Sequence, residues 1–458
     1  MRLFPKRAIR EMNLYGMVYF AVVGLRGQPV GRYYRQFVRE DRDGIRPDTT
    51  KRLLIRLLEH CRDHVPYYRR IMARLGESFY DDPEAYLTHL PVLTKEIIRN
   101  HFDELKSDDL ARRRWYENTS SGSTGEAVRF IQDWDFAAQS GALKLLYSRL
   151  AGREMGECEM LLWGSTSDIA RGHHEWKAQL INKLSNTVMV NVFHMTEAEM
   201  RACLDLIQAR RPRLIVAYVE AIYELARFAQ REGMTVDSGS AVITTAGTLH
   251  PLVRQTIERV FQCQVFNRYG SREVGDIACE RPGLSGLWVA PWGNYVEVVD
   301  DAKQRVPPGA AGEILVTSLT NLAMPFVRYA IGDRGVLRAA ASAKGAPVGQ
   351  VLETVLGRTV DMFRTRSGAV VHASFFGSML YSREWIWKYQ IIQKGYSDVV
   401  FRIVPSDTGY DPSELSDIAL QTKQVMGEDC QLTFEFLEDI QASSSGKYRY
   451  IMSEIEGP

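Results

Sequence analysis

The sequence predicts an α/β protein with a large N-terminal part and a small C-terminal α+β domain. Three observations lead there. The chain has 458 residues, too many for one ordinary core, so two or three domains are expected. Short apolar runs alternate with helical patterns over residues 135–261, as layered α/β subdomains with largely parallel strands require. From about residue 286 the runs shorten and are punctuated by Gly and Pro, which reads as a β-rich, barrel-like section.

In chain order, the first hundred residues read as helical. Residues 14–25 are apolar and follow Lys6, Arg7 and Arg10, superficially like a signal peptide. The stretch is shorter than the roughly 20 residues that cross a bilayer, and no small-x-small cleavage site follows. It reads as a buried or interfacial helix, so no integral membrane segment is expected. Residues 50–74 carry Leu53, Leu54, Leu57, Leu58 and Val65 at helical spacing. Leu90-Pro91-Val92-Leu93-Thr94-Lys95-Glu96 reads as a turn and a new helix with Thr94 as N-cap. A helix follows over 135–150. Apolar runs at 160–163, 188–193, 214–216 and 241–245 then alternate with helical patterns at 200–209, 221–231 and 252–261. Short strands are expected at 287–289, 295–299, 313–317 and 335–338. The last hundred residues show a βαβ-like order at 398–404, 412–426 and 432–436. The expected division is therefore 1–356 and 357–458, a size suited to a small separate C-terminal domain.

Composition excludes several classes. Basic and acidic residues number 57 and 56, leaving a formal charge of +1, without the basic excess of a nucleic-acid binder. The six cysteines lie far apart with no CxxC pair, so reduced thiols in a cytoplasmic protein are expected rather than a disulfide framework.

The motif richest in chemistry is Thr119-Ser120-Ser121-Gly122-Ser123-Thr124-Gly125. Glycines let a backbone wrap an anion, and hydroxyls and N–H groups then point at its oxygens. A flexible linker has the same composition, and these seven residues alone leave both readings open. No Gly-Lys-Ser/Thr follows, so a Walker loop is disfavoured. Four further motifs come after it. Phe266-Asn267-Arg268-Tyr269-Gly270-Ser271-Arg272-Glu273 sets an aromatic, a glycine and a carboxylate close together. Arg328-Tyr329-Ala330-Ile331-Gly332-Asp333 places a carboxylate after what reads as a tight glycine turn. Gly357-Arg358-Thr359-Val360-Asp361-Met362 sits at the inferred junction, and Ser443-Ser444-Ser445-Gly446-Lys447 presents a lysine near the end. Each alone is an ordinary turn or solvated loop.

Together and in this order, the motifs resemble the adenylate-forming superfamily of acyl- and aryl-CoA synthetases, and within it the phenylacetate-CoA ligase and CapK-like branch. The resemblance runs over about residues 50–450. It implies that Thr119 to Gly125 hold the β- and γ-phosphates of ATP. It also implies that Ala246 and Gly247, with Arg268, Tyr269 and Gly270, flank the adenine, and that Asp333 binds the ribose with Arg358 nearby. Glu273 meets Mg²⁺, and Lys447 bridges the carboxylate and the α-phosphate. The C-terminal domain is implied to be mobile, turning about a hinge at Val360 and Asp361 between adenylation and transfer. Trp163, Gly164, His173, Phe193 and Tyr218 fall where this branch places its acid pocket. The plainer reading makes the aromatics core residues and the histidine turn solvated.

Three departures stand out. Glu126-Ala127 replaces the usual proline after the glycine loop. Val360 occupies the usual hinge-Asp position, which bears on domain rotation and CoA use. Cys279 lacks the histidine that accompanies it in zinc-binding relatives, so no zinc is expected. The implied function is activation of a carboxylic acid, of aryl or arylacetic type, as acyl-adenylate, with ATP, Mg²⁺ and CoA as co-substrate. The alternatives are transfer to an amine acceptor and a non-catalytic nucleotide-binding scaffold. The pattern leaves room for a homodimer.

Overall fold

Helix breaks in the N-terminal region follow from local chemistry. In the computed structural model the apolar stretch forms α1 (Leu14–Leu25) and the next segment α2 (Val30–Asp43). Phe20 stacks on Tyr34 at 5.5 Å between ring centres, while Tyr15, Met17 and Leu25 stay exposed. Among the described residues no helix is long and apolar enough to cross a membrane. The helix expected over 50–74 is two, α3 (Thr49–His64) and α4 (Pro66–Met72). A proline ring disfavours helical backbone in the residue before it, and Val65 is accordingly extended at φ −115°, ψ 105°. Short helices α5 (Pro83–Leu87), α6 (Lys95–Asn100) and α7 (Phe102–Leu105) follow. Thr94 caps α6 as expected, its hydroxyl accepting the Ile97 N–H at 3.2 Å. The structure describes residues 14–25, 27–120, 128–163, 182–192, 196–236, 239–338, 348–358, 363–366, 370–371, 375–376, 379–380, 383, 385–406, 412–440 and 450–455.

Strands β1 (Trp115–Thr119) and β2 (Arg129–Asp133) pair antiparallel, and α8 (Trp134–Leu150) starts directly after them with Asp133 as N-cap. The alternating region then gives β3 (Glu159–Trp163), β4 (Thr187–Asn191), α9 (Glu197–Arg210), β5 (Leu214–Tyr218), α10 (Val219–Arg231), β6 (Ala241–Thr245), α11 (Pro251–Phe261) and β7 (Val265–Ser271). All five strands are parallel, in the order β4-β3-β5-β6-β7. Successive strand side chains face opposite ways. Ile215 and Ala217 of β5 therefore pack with Leu204, Ile222, Leu225 and Ile257 of the three helices, while Leu214 and Val216 face Ile243 and Phe266.

In the large sheet, antiparallel pairing begins at β8 (Gly275–Cys279), earlier than the change of pattern near 286. β9 (Leu287–Val289), β10 (Asn294–Val299), β11 (Ala311–Ser318), β12 (Tyr329–Leu337) and β13 (Gln350–Arg358) follow. These strands continue the parallel ones in one sheet, ordered β10-β11-β12-β13-β9-β8-β7-β6-β5-β3-β4. β7 is the switch strand, parallel to β6 on one side and antiparallel to β8 on the other.

After β13 come the short pair β14 (Phe363–Arg364) and β15 (Val370–Val371). β16 (Ile386–Gly395), β17 (Asp398–Pro405), α12 (Pro412–Met426), β18 (Gln431–Phe436) and β19 (Ile451–Ser453) complete the chain, in a sheet ordered β18-β17-β16-β19. β17 and β18 are parallel across α12, as the βαβ pattern requires. Phe363, Phe376, Tyr389, Phe401 and Ile418 are buried in a cluster of their own. This part rests on α10: Arg227 donates to the carbonyls of Ile386 at 2.7 Å and Trp387 at 3.0 Å, with its guanidinium 5.1 Å from the Trp387 ring centre.

Candidate active site

In an open α/β sheet, ligands bind outside the carboxyl ends of the strands, where the topology switches. Here that edge gathers Trp163 ending β3, Tyr218 ending β5, the loop after β6 with Ala246 and Gly247, and Tyr269 and Gly270 in β7. Tyr269 donates its hydroxyl to Asp333 Oδ2 at 2.7 Å, tying β7 to β12 across 64 residues of sequence. Asp333 is the register partner of Arg358, so two residues expected at the ribose sit opposite each other on β12 and β13. Gly357, next to Arg358, approaches the loop after β6: a Cβ there would stand 3.8 Å from Thr248 Oγ1. Ala246 itself is left-handed at φ 67°. A residue with a Cβ pays for that conformation, so the surrounding structure holds the loop in place.

Gly332-Asp333 lies inside β12 and is not the tight turn that its sequence suggests. The register slips between Glu313 and Leu315, and Gly332 takes φ 89° at the slip. Only a residue without a Cβ adopts that backbone cheaply. The bulge lets Asp333 meet Tyr269 while the strand goes on. Arg328, from the same motif, lies elsewhere. Its buried guanidinium pairs with Glu297 at 3.2 Å and donates to Leu90 O at 2.8 Å and Lys303 O at 3.0 Å. Backbone bonds between Leu93 and both Arg328 and Ala330 complete the joint, so the Leu-Pro-Val-Leu-Thr-Lys segment docks on the strand that carries Asp333.

Glu273 sits in the turn between β7 and β8, half-buried, and accepts the Tyr329 hydroxyl at 3.3 Å. The turn is held from outside. Gln132, 2% exposed in β2, donates to the carbonyls of Arg272 at 2.9 Å and Glu273 at 3.2 Å. Its own carbonyl accepts Asn118 Nδ2 of β1 at 3.1 Å. The strands flanking the glycine loop are thereby coupled to the carboxylate. Sequence reasoning missed Gln132 and Asn118, and no local pattern marks a bond that spans 140 residues. At the base of the loop, Ser120 is buried: its N–H donates to Val128 O and its hydroxyl accepts the Val128 N–H, both at 2.9 Å. Thr119 is exposed beside it. Ser121, Gly122, Ser123, Thr124 and Gly125 lie outside the described residues.

Arg268 does not join Tyr269. Neighbours in a strand face opposite sides, and Arg268 points at Asp276, 3.7 Å away, with its Nε buried and without a hydrogen-bond partner among the described residues. In the acid region, the rings of Trp163 and Tyr218 lie 4.5 Å apart at 37°. Gly164, His173 and Phe193 lie outside the described residues, as do Val360, Asp361 and Lys447, together with the Arg358 side chain. The described chain resumes after Lys447 at Tyr450. That residue lines a shallow cleft with Tyr223, Glu224 and Arg227 of α10 and Trp387.

His60, His64 and Asp109 bring potential metal-binding atoms within 4.8 Å of one another. Arg113 grips both Asp109 oxygens at 2.7 and 2.8 Å, and His60 is hydrogen-bonded to Leu322 O at 2.8 Å. Burial, followed by the Arg113 charge, lowers the proton affinity of His60. The cluster reads as a structural ion-pair joint.

Residues 151–324 match the family described as AMP-binding enzyme, and residues 363–454 match the CapK C-terminal domain. Protein CapK of Staphylococcus aureus is 22% identical over 396 residues, 85% of each chain. Phenylacetate-coenzyme A ligase of Thermus thermophilus is 27% identical over 365 residues, covering 74% of this chain and 76% of its own. Among solved structures, 2-hydroxyisobutyryl-CoA ligase in the postadenylation state, in complex with R3-HIB-AMP, superposes with a TM-score of 0.68. It is 17% identical, over 88% of this chain and 89% of that one, which establishes a shared fold.

Proposed function

We propose that this chain, which belongs to the adenylate-forming superfamily on its CapK and phenylacetate-CoA ligase-like branch, activates a carboxylic acid with ATP and passes the acyl group to CoA. The observation that carries the reading is the Tyr269–Asp333 pair beside the Ala246–Gly247 loop. A ring and a carboxylate at the sheet's carboxyl edge suit the base and ribose of a nucleotide. The glycine loop opens from β1 and β2, which Gln132 ties to the same site, and it would hold the phosphates. An oxygen of the acid attacks the α-phosphorus and pyrophosphate leaves. The thiolate of CoA then attacks the acyl carbon and AMP leaves. Both steps ask the protein for positioning and charge stabilisation.

Lys447 would supply positive charge between the carboxylate and the α-phosphate. The half-exposed Glu273 carboxylate, anchored on one oxygen by Tyr329, fits a hard cation that takes oxygen ligands. Mg²⁺ bound there would neutralise phosphate charge. Residues 1–356 would carry the nucleotide and acid sites, with 357–458 bringing Lys447 about a hinge at Val360 and Asp361. The tilted pair of Trp163 and Tyr218 rings supports a flat aryl or arylacetic acid. Pyrophosphate release over a panel of aryl and aliphatic acids, with and without CoA, tests the reading. Acid-dependent release followed by a CoA thioester supports it. Acid-dependent release with an amide formed instead moves the acceptor to an amine. ATP binding without acid-dependent release removes the reading.

A further inference from the structure

We propose that the first two helices dock this chain on an anionic membrane surface, α1 at the acyl boundary and α2 against the lipid headgroups. α1 has no charged side chain, and its only polar side-chain atoms are the hydroxyls of Tyr15 and Tyr19. A helix that is apolar on every side needs cover on every side. The protein covers one of them. Gly16, Phe20 and Val23 are buried, with Phe20 stacked on Tyr34 of α2. Met17, Ala21 and Leu25, spaced four apart and so on one stripe, stay exposed, Met17 at 49% and Leu25 at 89%. The 12 residues of α1 make a helix about 18 Å long, too short for a bilayer core of about 30 Å. That length suits a helix lying in the plane of the interface.

An apolar stripe alone fits many partners, and the charge around it narrows the choice. Residues 1–39 hold eight basic side chains against one acid, Glu11, a net +7, whereas the whole chain carries +1. The remainder therefore carries −6, so the positive excess is local to this segment. Arg32, Arg35 and Arg39 share one face of α2, three and four residues apart, and all three are exposed. They lie opposite Val30, Tyr34 and Phe37, which pack into the core. The acids of the same helix are engaged: Asp41 pairs with Arg281 at 2.9 Å, Glu40 accepts from Trp292 at 2.7 Å, and Asp43 pairs with Arg42 at 2.7 Å. A membrane surface answers both features at once, with negative headgroups over an apolar layer. A second copy of this segment would bring like charge to like charge. A nucleic acid would answer the arginines and leave the apolar stripe in water.

The experiment sediments the full chain with vesicles and without substrate, so its outcome is independent of the adenylation reading. Vesicles of phosphatidylcholine with about one third phosphatidylglycerol should bind at least about tenfold more tightly than phosphatidylcholine alone. Raising the salt from about 0.1 to 1 M shortens the screening length from about 10 to 3 Å and should release most of the bound chain. Each basic residue near an anionic surface is worth about fivefold in partition, so joint Arg32→Gln, Arg35→Gln and Arg39→Gln should weaken binding by about a hundredfold. Joint Met17→Gln and Leu25→Gln should weaken it by about tenfold or more, by removing the apolar insertion. All five side chains are exposed, so unchanged denaturant unfolding checks that both variants keep the fold. No binding to the anionic vesicles at about 0.1 M salt overturns the proposal. Equal binding to both kinds of vesicle does so too, as does wild-type binding by either variant. A chain that ignores vesicles but dimerises, and loses the dimer with Met17→Gln and Leu25→Gln, assigns the stripe to a second copy instead.

Discussion

Replacing Gln132 by Met removes the support under Glu273 while keeping the length of the side chain. Gln132 makes two bonds to the Arg272 and Glu273 carbonyls and takes one from Asn118. It is 2% exposed, so water does not replace it freely. A buried polar group left without its partner costs about 1–3 kcal/mol. Arg272 is exposed, and its carbonyl regains some solvent, so the whole change should destabilise the fold by about 2–3 kcal/mol. The larger consequence is local. The turn that carries Glu273 loses its anchor to β2, and a displacement of about 1 Å at a reacting site costs on the order of 10²-fold in rate. ATP–pyrophosphate exchange, measured across a Mg²⁺ titration, should show kcat falling by about 10- to 100-fold and a higher Mg²⁺ requirement. Gln132→Glu keeps the acceptor for Asn118 but not the two donors, so it should not rescue. A folded Gln132→Met protein with exchange kinetics and Mg²⁺ dependence within about twofold of wild type refutes the coupling.

Three further outcomes are expected. Gly247→Ala sets a Cβ against the Glu220 carboxyl beside the loop assigned to the adenine, so KM for ATP should rise by about tenfold; an unchanged KM contradicts this placement. Burial lowers the pKa of His250, at the N-cap of α11, from 6.5 to about 4. The unfolded chain therefore gains a proton that the folded one resists between about pH 6.5 and 4, and stability falls across that window by about 3 kcal/mol before levelling off. His250→Gln should remove that share of the loss in denaturant titrations at about pH 7.5 and about pH 4; an unaltered difference between the two pH values counts against it. Lys447→Ala should slow acyl-adenylate formation by about 10²- to 10³-fold with ATP binding largely kept; adenylation at the wild-type rate excludes the assigned role.

What could be read from the sequence follows from the range of each interaction. Apolar alternation is local, so β3 to β6 and the βαβ order of β17, α12 and β18 were legible, as was the Thr94 cap. The Val65–Pro66 pair already carries the reason for the break between α3 and α4. Gly332 misled because a glycine before an aspartate usually marks a turn, whereas here the positive φ absorbs a bulge within β12. The β-rich, barrel-like section was read from its short strands and the Gly and Pro between them. The continuous sheet depends on β7 pairing differently on its two sides, which spacing does not encode. Tyr269 and Asp333 were found through their motifs, but their mutual hydrogen bond was not foreseen. The opposite facing of Arg268 follows from strand alternation once 265–271 is known to be a strand. Gln132 and Asn118 sit in segments without a motif, and only the three-dimensional contact gives them a role.

The proposed function stands or falls with the joining of ATP to a carboxylic acid. Isotope exchange between pyrophosphate and ATP, in the presence of Mg²⁺ and with one acid added at a time, reads that step without any acceptor. Exchange should be absent with ATP alone, appear with a suitable acid and be lost in Lys447→Ala. ATP bound by the folded protein with no exchange for any acid would contradict it and leave a nucleotide-binding scaffold.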